Sequence, residues 1–106
     1  MQQLTPSELA AWLADPARPK PQLIDVREPH EFDYCHIEGA QLIPLSQIPH
    51  QLGEVEDTAL VCICHHGVRS MQAAAFLERS GFDSVFNLLG GVERWATEID
   101  PSMPRY

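Results

Sequence analysis

The segment LVCICHHGVRS, residues 60–70, brings two cysteines, two histidines and an arginine close together in the chain. An apolar run ends at Cys64, two histidines and Gly67 follow, and the segment closes with valine, arginine and serine. Three kinds of chemistry fit these residue types. Cys64 could be a buried thiol at the end of a strand, a ligand in a cysteine–histidine metal site, or a nucleophile in an anion-binding loop.

The buried-thiol interpretation suits Cys62 better than Cys64. Cys62 lies inside the apolar run, where a free cysteine packs like a small hydrophobic residue. Cys64 is followed directly by polar residues, by Gly67 and by the start of a helical segment. We therefore expect Cys62 to belong to the core and Cys64 to have a different role.

The metal interpretation is disfavoured by spacing. Structural zinc sites use two ligand pairs, each with a few residues between its members and with the pairs far apart in the chain. Here the candidates are one cluster of near neighbours whose side chains point apart: Cys62, Cys64, His65 and His66. The only further candidate pair is Cys35-His36.

The nucleophile interpretation rests on the backbone of the loop. Four residues separate Cys64 from Arg69, and a helix begins at the end of that stretch. Such a loop turns successive backbone N–H groups inward to bind an anion, and the helix N-terminus adds partial positive charge. Both effects favour the thiolate of Cys64. Gly67 supplies the backbone freedom that the loop needs, and His65, His66 and Arg69 add positive character.

The bulk composition narrows the class of protein. A chain of 106 residues with 44% hydrophobic residues suits one domain, residues 1–106, with a real core. The net charge of −8 argues against nucleic acid or an anionic membrane as a partner. Three cysteines form no disulfide framework, and MQQLTPSELAAWL lacks the features of a signal peptide, so we expect a cytoplasmic protein.

The elements that position the loop alternate in type along the chain. Strand-type runs are QLIDV, AQLIPL, TALVCI and SVFNLL, and helix-type segments are LTPSELAAWLADP, REPHEFDY, LSQIPHQL, RSMQAAAFLERSG and GGVERWATEIDP. This alternation predicts an α/β fold with a mainly parallel central sheet of four to five strands and helices on both faces. TALVCI is the most apolar run and is placed at the sheet centre. Cys64 then lies at the carboxyl end of a central strand, where such folds bind ligands.

Four motifs, in order, resemble the single-domain rhodaneses, the thiosulfate sulfurtransferase family. They are QLIDVREPHEF, CHIEGAQLIPL, the active-site loop CHHGVRS and the closing motif NLLGGVERW, and together they cover nearly the whole chain. The rhodanese loop runs six residues from the cysteine to its last member, and related phosphatases and arsenate reductases have one residue more. Residues 64–69 match the six-residue form. The resemblance therefore implies sulfur transfer instead of phosphate ester hydrolysis.

What the resemblance implies is a ping-pong sulfurtransferase with a rhodanese-like fold and no metal or organic cofactor. Cys64 would take sulfur from a small anionic donor such as thiosulfate, hold it as a persulfide and pass it to cyanide, a thiol or a protein. The residues of the substrate- and persulfide-binding loop would be His65, His66, Gly67, Val68 and Arg69. The residues supporting that loop would be Asp25, Arg27, Gly90 and Gly91.

Alternatives stay open at several of these positions. Arg69 could reach substrate or tie the loop to a carboxylate. His65 and His66 could tune donor binding by titrating near pH of about 6.5, or be exposed residues with only a steric role. The acids of HEF and FDY, Glu31 and Asp33, are expected on a solvated helix face, and Trp95 in the core.

A non-enzymatic role is the competing hypothesis for the whole chain. The domain could be a sulfur carrier or interaction module that meets a biosynthetic partner through its acidic surface. The segment DPSMPRY resembles the ends of rhodanese modules attached to ubiquitin-like-protein activating enzymes. That resemblance implies a protein as sulfur acceptor.

Overall fold

The computed structural model describes residues 1–106 and has five strands and four α-helices. The strands are β1 (Gln2–Leu4), β2 (Gln22–Asp25), β3 (Gln41–Leu42), β4 (Leu60–Ile63) and β5 (Val85–Leu88). The helices are α1 (Pro6–Ala14), α2 (Pro29–Tyr34), α3 (Val68–Arg79) and α4 (Gly91–Glu98). Two 3₁₀ turns, Leu45–His50 and Leu52–Glu54, replace the helical segment predicted at LSQIPHQL, which contains Pro49.

The strands form one parallel sheet in the order β1-β5-β4-β2-β3. The predicted α/β class and parallel sheet are confirmed. Strand β4 lies in the middle, and each of its four residues is buried. Because β2 pairs with β4 in parallel, Asp25 lies beside Ile63 at the carboxyl edge of the sheet. Cys64 is the next residue after that edge.

Strand β1 was missing from the sequence prediction, which found four strand-type runs. Its residues Gln2 and Gln3 are polar and exposed, and only Leu4 is buried. The strand pairs with the edge of β5, where Gln3 lies beside Asn87. Three residues with one apolar side chain carry no strand-type pattern, so only pairing with β5 reveals this strand.

Alternate residues of β4 pack against different helices. Val61 and Ile63 join a core cluster with residues of α1 and α4, including Trp12 and Trp95. Leu60 and Cys62 join a second cluster with residues of α3. The period-two alternation of a strand thus puts helices on both faces of the sheet, as predicted.

Helix α1 begins where its sequence signals place it. The Thr5 hydroxyl accepts a hydrogen bond from the Glu8 N–H at 3.1 Å, and the Glu8 carboxylate accepts one from the Thr5 N–H at 2.8 Å. This is the predicted capping box, with Pro6 in the first helical turn. No helix in the structure combines the length and the apolar character needed to cross a bilayer.

Candidate active site

Cys64 lies at the bottom of the loop that joins β4 to α3. The residue is only 1% exposed. Its Sγ atom accepts a hydrogen bond from the Gly67 N–H at 3.0 Å and lies 3.2 Å from the Ser70 hydroxyl oxygen. A sulfur atom with two polar neighbours is placed for chemistry that develops negative charge on sulfur.

The loop that follows this cysteine offers free backbone donors. Gly67 precedes helix α3 and has a φ of 99°, a left-handed conformation that turns the chain tightly. Its N–H donates to the Cys64 sulfur. The other loop amides, those of His65, His66, Val68 and Arg69, have no hydrogen-bond partner within the protein. Unpaired N–H groups in a tight loop before a helix form an anion-binding cradle.

Helix α4 packs directly against the start of the loop. The N–H groups of Val92 and Glu93 donate to the carbonyls of Cys64 and His65 at 2.9 and 3.1 Å. Gly91 has a φ of 58°, and a Cβ atom on it would lie 2.2 Å from the Cys64 carbonyl oxygen. Only glycine permits this approach. Gly90, also in the left-handed region, caps the same helix.

Two residues that the prediction omitted complete the surroundings of Cys64. Ser70 and Asn87 are buried, and the Ser70 hydroxyl donates to the side-chain amide oxygen (Oδ1) of Asn87. The Asn87 amide nitrogen donates to the Gly67 carbonyl at 3.3 Å and to the Gln3 side chain at 2.9 Å. Asn87 is the single polar residue of strand β5, and a polar residue inside an apolar strand is a signal that the sequence carries.

The acids of helix α2 are not all on a solvated face, and for Glu31 that expectation was wrong. The Arg69 guanidinium donates to both carboxylate oxygens of Glu31, at 2.7 and 3.0 Å. The hydrogen bonds from Arg69 lower the pKa of Glu31 to about 2. The carboxylate is therefore ionised at neutral pH, and it forms an ion pair with Arg69, the one cationic side chain of the loop.

Asp25 and Arg27 form a fully buried pair whose side chains make no hydrogen bond to the Cys64 loop. Arg27 binds Asp25 through Nε at 2.9 Å and Nη2 at 2.7 Å, and neither side chain is exposed. The same guanidinium donates to the Cys35 carbonyl at 2.6 Å and to the Tyr106 hydroxyl at 2.7 Å. Arg27 thus holds the end of α2, whose Glu31 in turn holds the loop. The support is indirect.

The two histidines after Cys64 differ in their surroundings. The His65 ring stacks between the rings of His66 and Tyr106, with centroids 3.9 and 3.8 Å away. Burial and the neighbouring His66 lower the pKa of His65, so its ring is neutral near pH 7. His66 is exposed. The loop therefore presents little fixed positive charge from its side chains.

Residues 5–98 match a known sequence family, described as the rhodanese-like domain. This match covers most of the chain. The chain belongs to the rhodanese-like domain family. The recognition made from CHHGVRS and its three companion motifs is therefore confirmed.

Several relatives of this rhodanese-like domain have names that describe an activity. MoeZ of Mycobacterium tuberculosis, a probable adenylyltransferase/sulfurtransferase, is 44% identical over 106 residues, which is 97% of this chain and 26% of MoeZ. The thiosulfate sulfurtransferase GlpE of Shewanella oneidensis is 37% identical over 75 residues, or 70% of this chain and 74% of GlpE. The chain thus spans about a quarter of the length of MoeZ.

A solved structure agrees with the fold. The crystal structure of a rhodanese-like domain protein from Staphylococcus aureus has a TM-score of 0.84 and 30% identity. It covers 100% of this chain and 99% of that chain. The five-stranded parallel sheet with helices on both faces is therefore the rhodanese-like fold.

The rhodanese-like domain does not assemble the cysteine–histidine metal set considered from sequence. Cys62 is fully buried in β4, and burial raises its pKa to about 12. The one group of three or more potential ligand atoms within 4.8 Å of one another is formed by His65, His66 and Glu93. The last of these lies on α4, outside the loop.

Proposed function

We propose that the chain is a sulfurtransferase that carries sulfur as a persulfide on Cys64. The observation that carries this proposal is the loop of residues 65–69: the Gly67 N–H donates to the Cys64 sulfur, and the other four backbone N–H groups have no partner in the protein. Membership of the rhodanese-like family and the similarity to GlpE support the same chemistry. The loop has the six-residue length that goes with sulfur transfer.

The first half-reaction is attack by the Cys64 thiolate on the outer sulfur of a donor such as thiosulfate. A bond forms between Cys64 Sγ and that sulfur, the sulfur–sulfur bond of the donor breaks, and sulfite leaves with the electron pair. The persulfide keeps one negative charge on its terminal sulfur. Fixed amide donors stabilise such a charge because they need no reorganisation when it develops.

Backbone amides, and not side-chain cations, hold the anion in this proposal. The guanidinium of Arg69 is bound by Glu31, and that of Arg27 by Asp25. His65 is neutral near pH 7 because burial lowers its pKa. Since the whole chain carries a formal charge of −8, the cradle must bind its anion against the overall field.

The second half-reaction passes the terminal sulfur to a thiophilic acceptor. Cyanide or a thiolate attacks that sulfur, the persulfide bond breaks, and Cys64 leaves as thiolate. A small acceptor must reach the bottom of the loop, whereas a protein acceptor must bring a flexible nucleophile to it. Neither step requires a cofactor.

Mass spectrometry of the intact protein tests the proposal. After incubation with thiosulfate and removal of the excess, the chain should gain the mass of one sulfur atom, and cyanide should remove it. Cys62→Ser is the matched control and should still gain the sulfur. If Cys64→Ser also gains the cyanide-labile sulfur, Cys64 is not the carrier.

A second candidate function is a sulfur carrier that serves one partner protein. Val68 is 66% exposed and Met71 is 43% exposed, so the first turn of α3 presents apolar side chains beside the loop. Exposed apolar groups next to a reactive site suit protein docking. The chain also corresponds to 26% of the longer MoeZ.

Turnover with small acceptors separates the two functions. A sulfurtransferase should turn over many times with cyanide or glutathione. A dedicated carrier should load from thiosulfate at a similar rate but discharge slowly to both, and Met71→Ser, outside the loop, should then leave loading unchanged. Rapid discharge to cyanide counts against the carrier.

A further inference from the structure

His65 has a buried ring nitrogen without a hydrogen-bond partner. The side chain is 16% exposed, and its Nε2 atom is the one buried side-chain nitrogen or oxygen that no group in the protein satisfies. Stacking on His66 and Tyr106 fixes the ring from both sides. An unpaired buried polar atom costs free energy, so a rigid ring that keeps one points to a ligand.

A carboxylate faces this nitrogen. Glu93 Oε2 lies 3.8 Å from His65 Nε2, which is too far for a hydrogen bond. The other carboxylate oxygen, Oε1, accepts hydrogen bonds from Nε of Arg105 at 2.7 Å and from its Nη2. Arg105 thus orients the Glu93 side chain and leaves Oε2 free.

His66 completes a set of three donors. One ligand atom from each of His65, His66 and Glu93 lies within 4.8 Å of the others. Ligand atoms around a tetrahedral zinc ion, each about 2.0–2.1 Å from the metal, are roughly 3.4 Å apart. Small rotations of the exposed His66 and the partly exposed Glu93 side chains would close that difference.

We propose that His65, His66 and Glu93 form a binding site for a divalent transition metal ion such as Zn²⁺, separate from the Cys64 nucleophile. Two imidazoles and one carboxylate are a known zinc ligand set that leaves a fourth position for water. Neutral imidazole and ionised carboxylate are the metal-binding forms. A bound ion ties the residues after Cys64 to helix α4.

The site is made by the fold and not by a sequence motif. Helix α3 and strand β5 separate Glu93 from the two histidines in the chain. Helix α4 can approach the loop because Gly91 has no side chain. Spacing rules for paired ligands therefore do not detect it. The ordering of Glu93 by Arg105 is the outer-sphere support that metal sites commonly have.

Equilibrium dialysis with Zn²⁺ tests this site in the untagged full-length Cys64→Ser protein. That background removes the nucleophilic sulfur as a competing ligand, and it cannot form a persulfide, so the result is independent of the proposed sulfur transfer. We expect one Zn²⁺ per chain. Adding Glu93→Gln should weaken binding by more than about 100-fold, beyond the roughly 10- to 100-fold that loss of an outer-sphere partner costs. Glu98→Gln, on the same helix, is the matched control and should bind like its parent.

Imidazole NMR signals provide a second measurement. Zn²⁺ should shift the ring signals of His65 and His66 at one equivalent, and Co²⁺ should give the visible bands of a tetrahedral site. If Glu93→Gln folds poorly, His66→Gln at an exposed position carries the same expectation. Absence of binding, equal affinity in Glu93→Gln and its parent, or shifts confined to His30, His36 and His50 overturns the proposal.

Discussion

Cys62 and Cys64 are two residues apart and belong to the same core cluster, and both are almost completely buried. Their surroundings nevertheless differ in kind. The Cys62 thiol makes no hydrogen bond and lies among aliphatic groups, whereas the Cys64 sulfur has the Gly67 N–H and the Ser70 hydroxyl as neighbours. Burial without donors raises the pKa of Cys62 to about 12.

This difference shows that the extent of burial does not by itself decide the reactivity of a thiol. A strand surrounds its side chains with other side chains, which in a core are apolar. The tight loop that follows β4 instead directs the Gly67 N–H at the next sulfur, and four further loop amides are unpaired. The chain changes from strand to loop between these two cysteines. The Cys62 sulfur therefore lies among hydrocarbon side chains, whereas the Cys64 sulfur lies beside fixed backbone dipoles.

Differential alkylation is the strongest test of this comparison. At pH 7, iodoacetamide should modify Cys64 first. Cys62 should react about 10³-fold more slowly than an ordinary thiol, because its pKa is raised from 9.0 to about 12. Peptide mass spectrometry after timed quenching measures both sites. In urea, where the fold is lost, the two rates should converge; equal rates in the folded protein would contradict the comparison.

Gly91→Ala should disturb the loop that begins at Cys64 and leave the surroundings of Cys62 in strand β4 unchanged. The new Cβ would lie 2.2 Å from the Cys64 carbonyl oxygen, and Gly91 has a positive φ. We expect the free energy of unfolding to fall by about 3 kcal/mol and sulfur loading to be lost. Gly53→Ala is the matched control, since nothing lies within 4 Å of its Cβ position. Urea denaturation of both variants gives the comparison, and equal stability would contradict it.

The strand and loop around these cysteines were predictable because their signals are local. The apolar run TALVCI, the glycine at position 67 and the capping box at Thr5 each act within a few residues. Asn87 carries a local signal of the same kind, because it is a polar residue in an apolar strand, although the prediction did not include it.

Other parts of the site depend on contacts between distant segments. Glu31 and Arg69 are 38 residues apart, and Glu31 and Tyr106 are 75 apart. No local pattern distinguishes Glu31 from a solvated acid of a short helix. Strand β1 is likewise defined only by its pairing with β5. The roles of these residues are set by their tertiary contacts and not by the residues next to them in the sequence.

Ser70→Ala should sharpen the comparison by making Cys64 more like Cys62. The change removes one of the two polar neighbours of the Cys64 sulfur and leaves Asn87 without its donor. When Cys64 ionises, the Ser70 hydroxyl can turn its single hydrogen from Asn87 to the sulfur. A hydrogen bond to a charged group contributes about 1.5 kcal/mol or more, so without it sulfur loading should slow about tenfold. Ser80→Ala, at the other end of α3, is the control. Unchanged loading in Ser70→Ala, measured by stopped-flow or quenched mass spectrometry, would remove Ser70 from the site.

Glu31→Gln should have the smallest effect, because the Glu31–Arg69 pair supports the loop only from its outer side. Hydrogen bonds from Arg69 lower the pKa of Glu31 from 4.5 to about 2, so the pair stabilises the fold above pH 4.5 and this contribution is lost as the pH falls from 4.5 towards 2. Arg69 is 36% exposed, so solvent screening limits the loss in Glu31→Gln to about 1 kcal/mol at pH 7. Urea unfolding between pH 7 and 3 should show that the difference in free energy of unfolding between wild type and variant narrows as the pH falls.

Glu98→Gln is the control for this prediction. It breaks an exposed pair with Arg94 and should lower the free energy of unfolding by only about a few tenths of a kcal/mol. A gap that stays constant with pH would mean that Glu31 does not stabilise the loop through its charge.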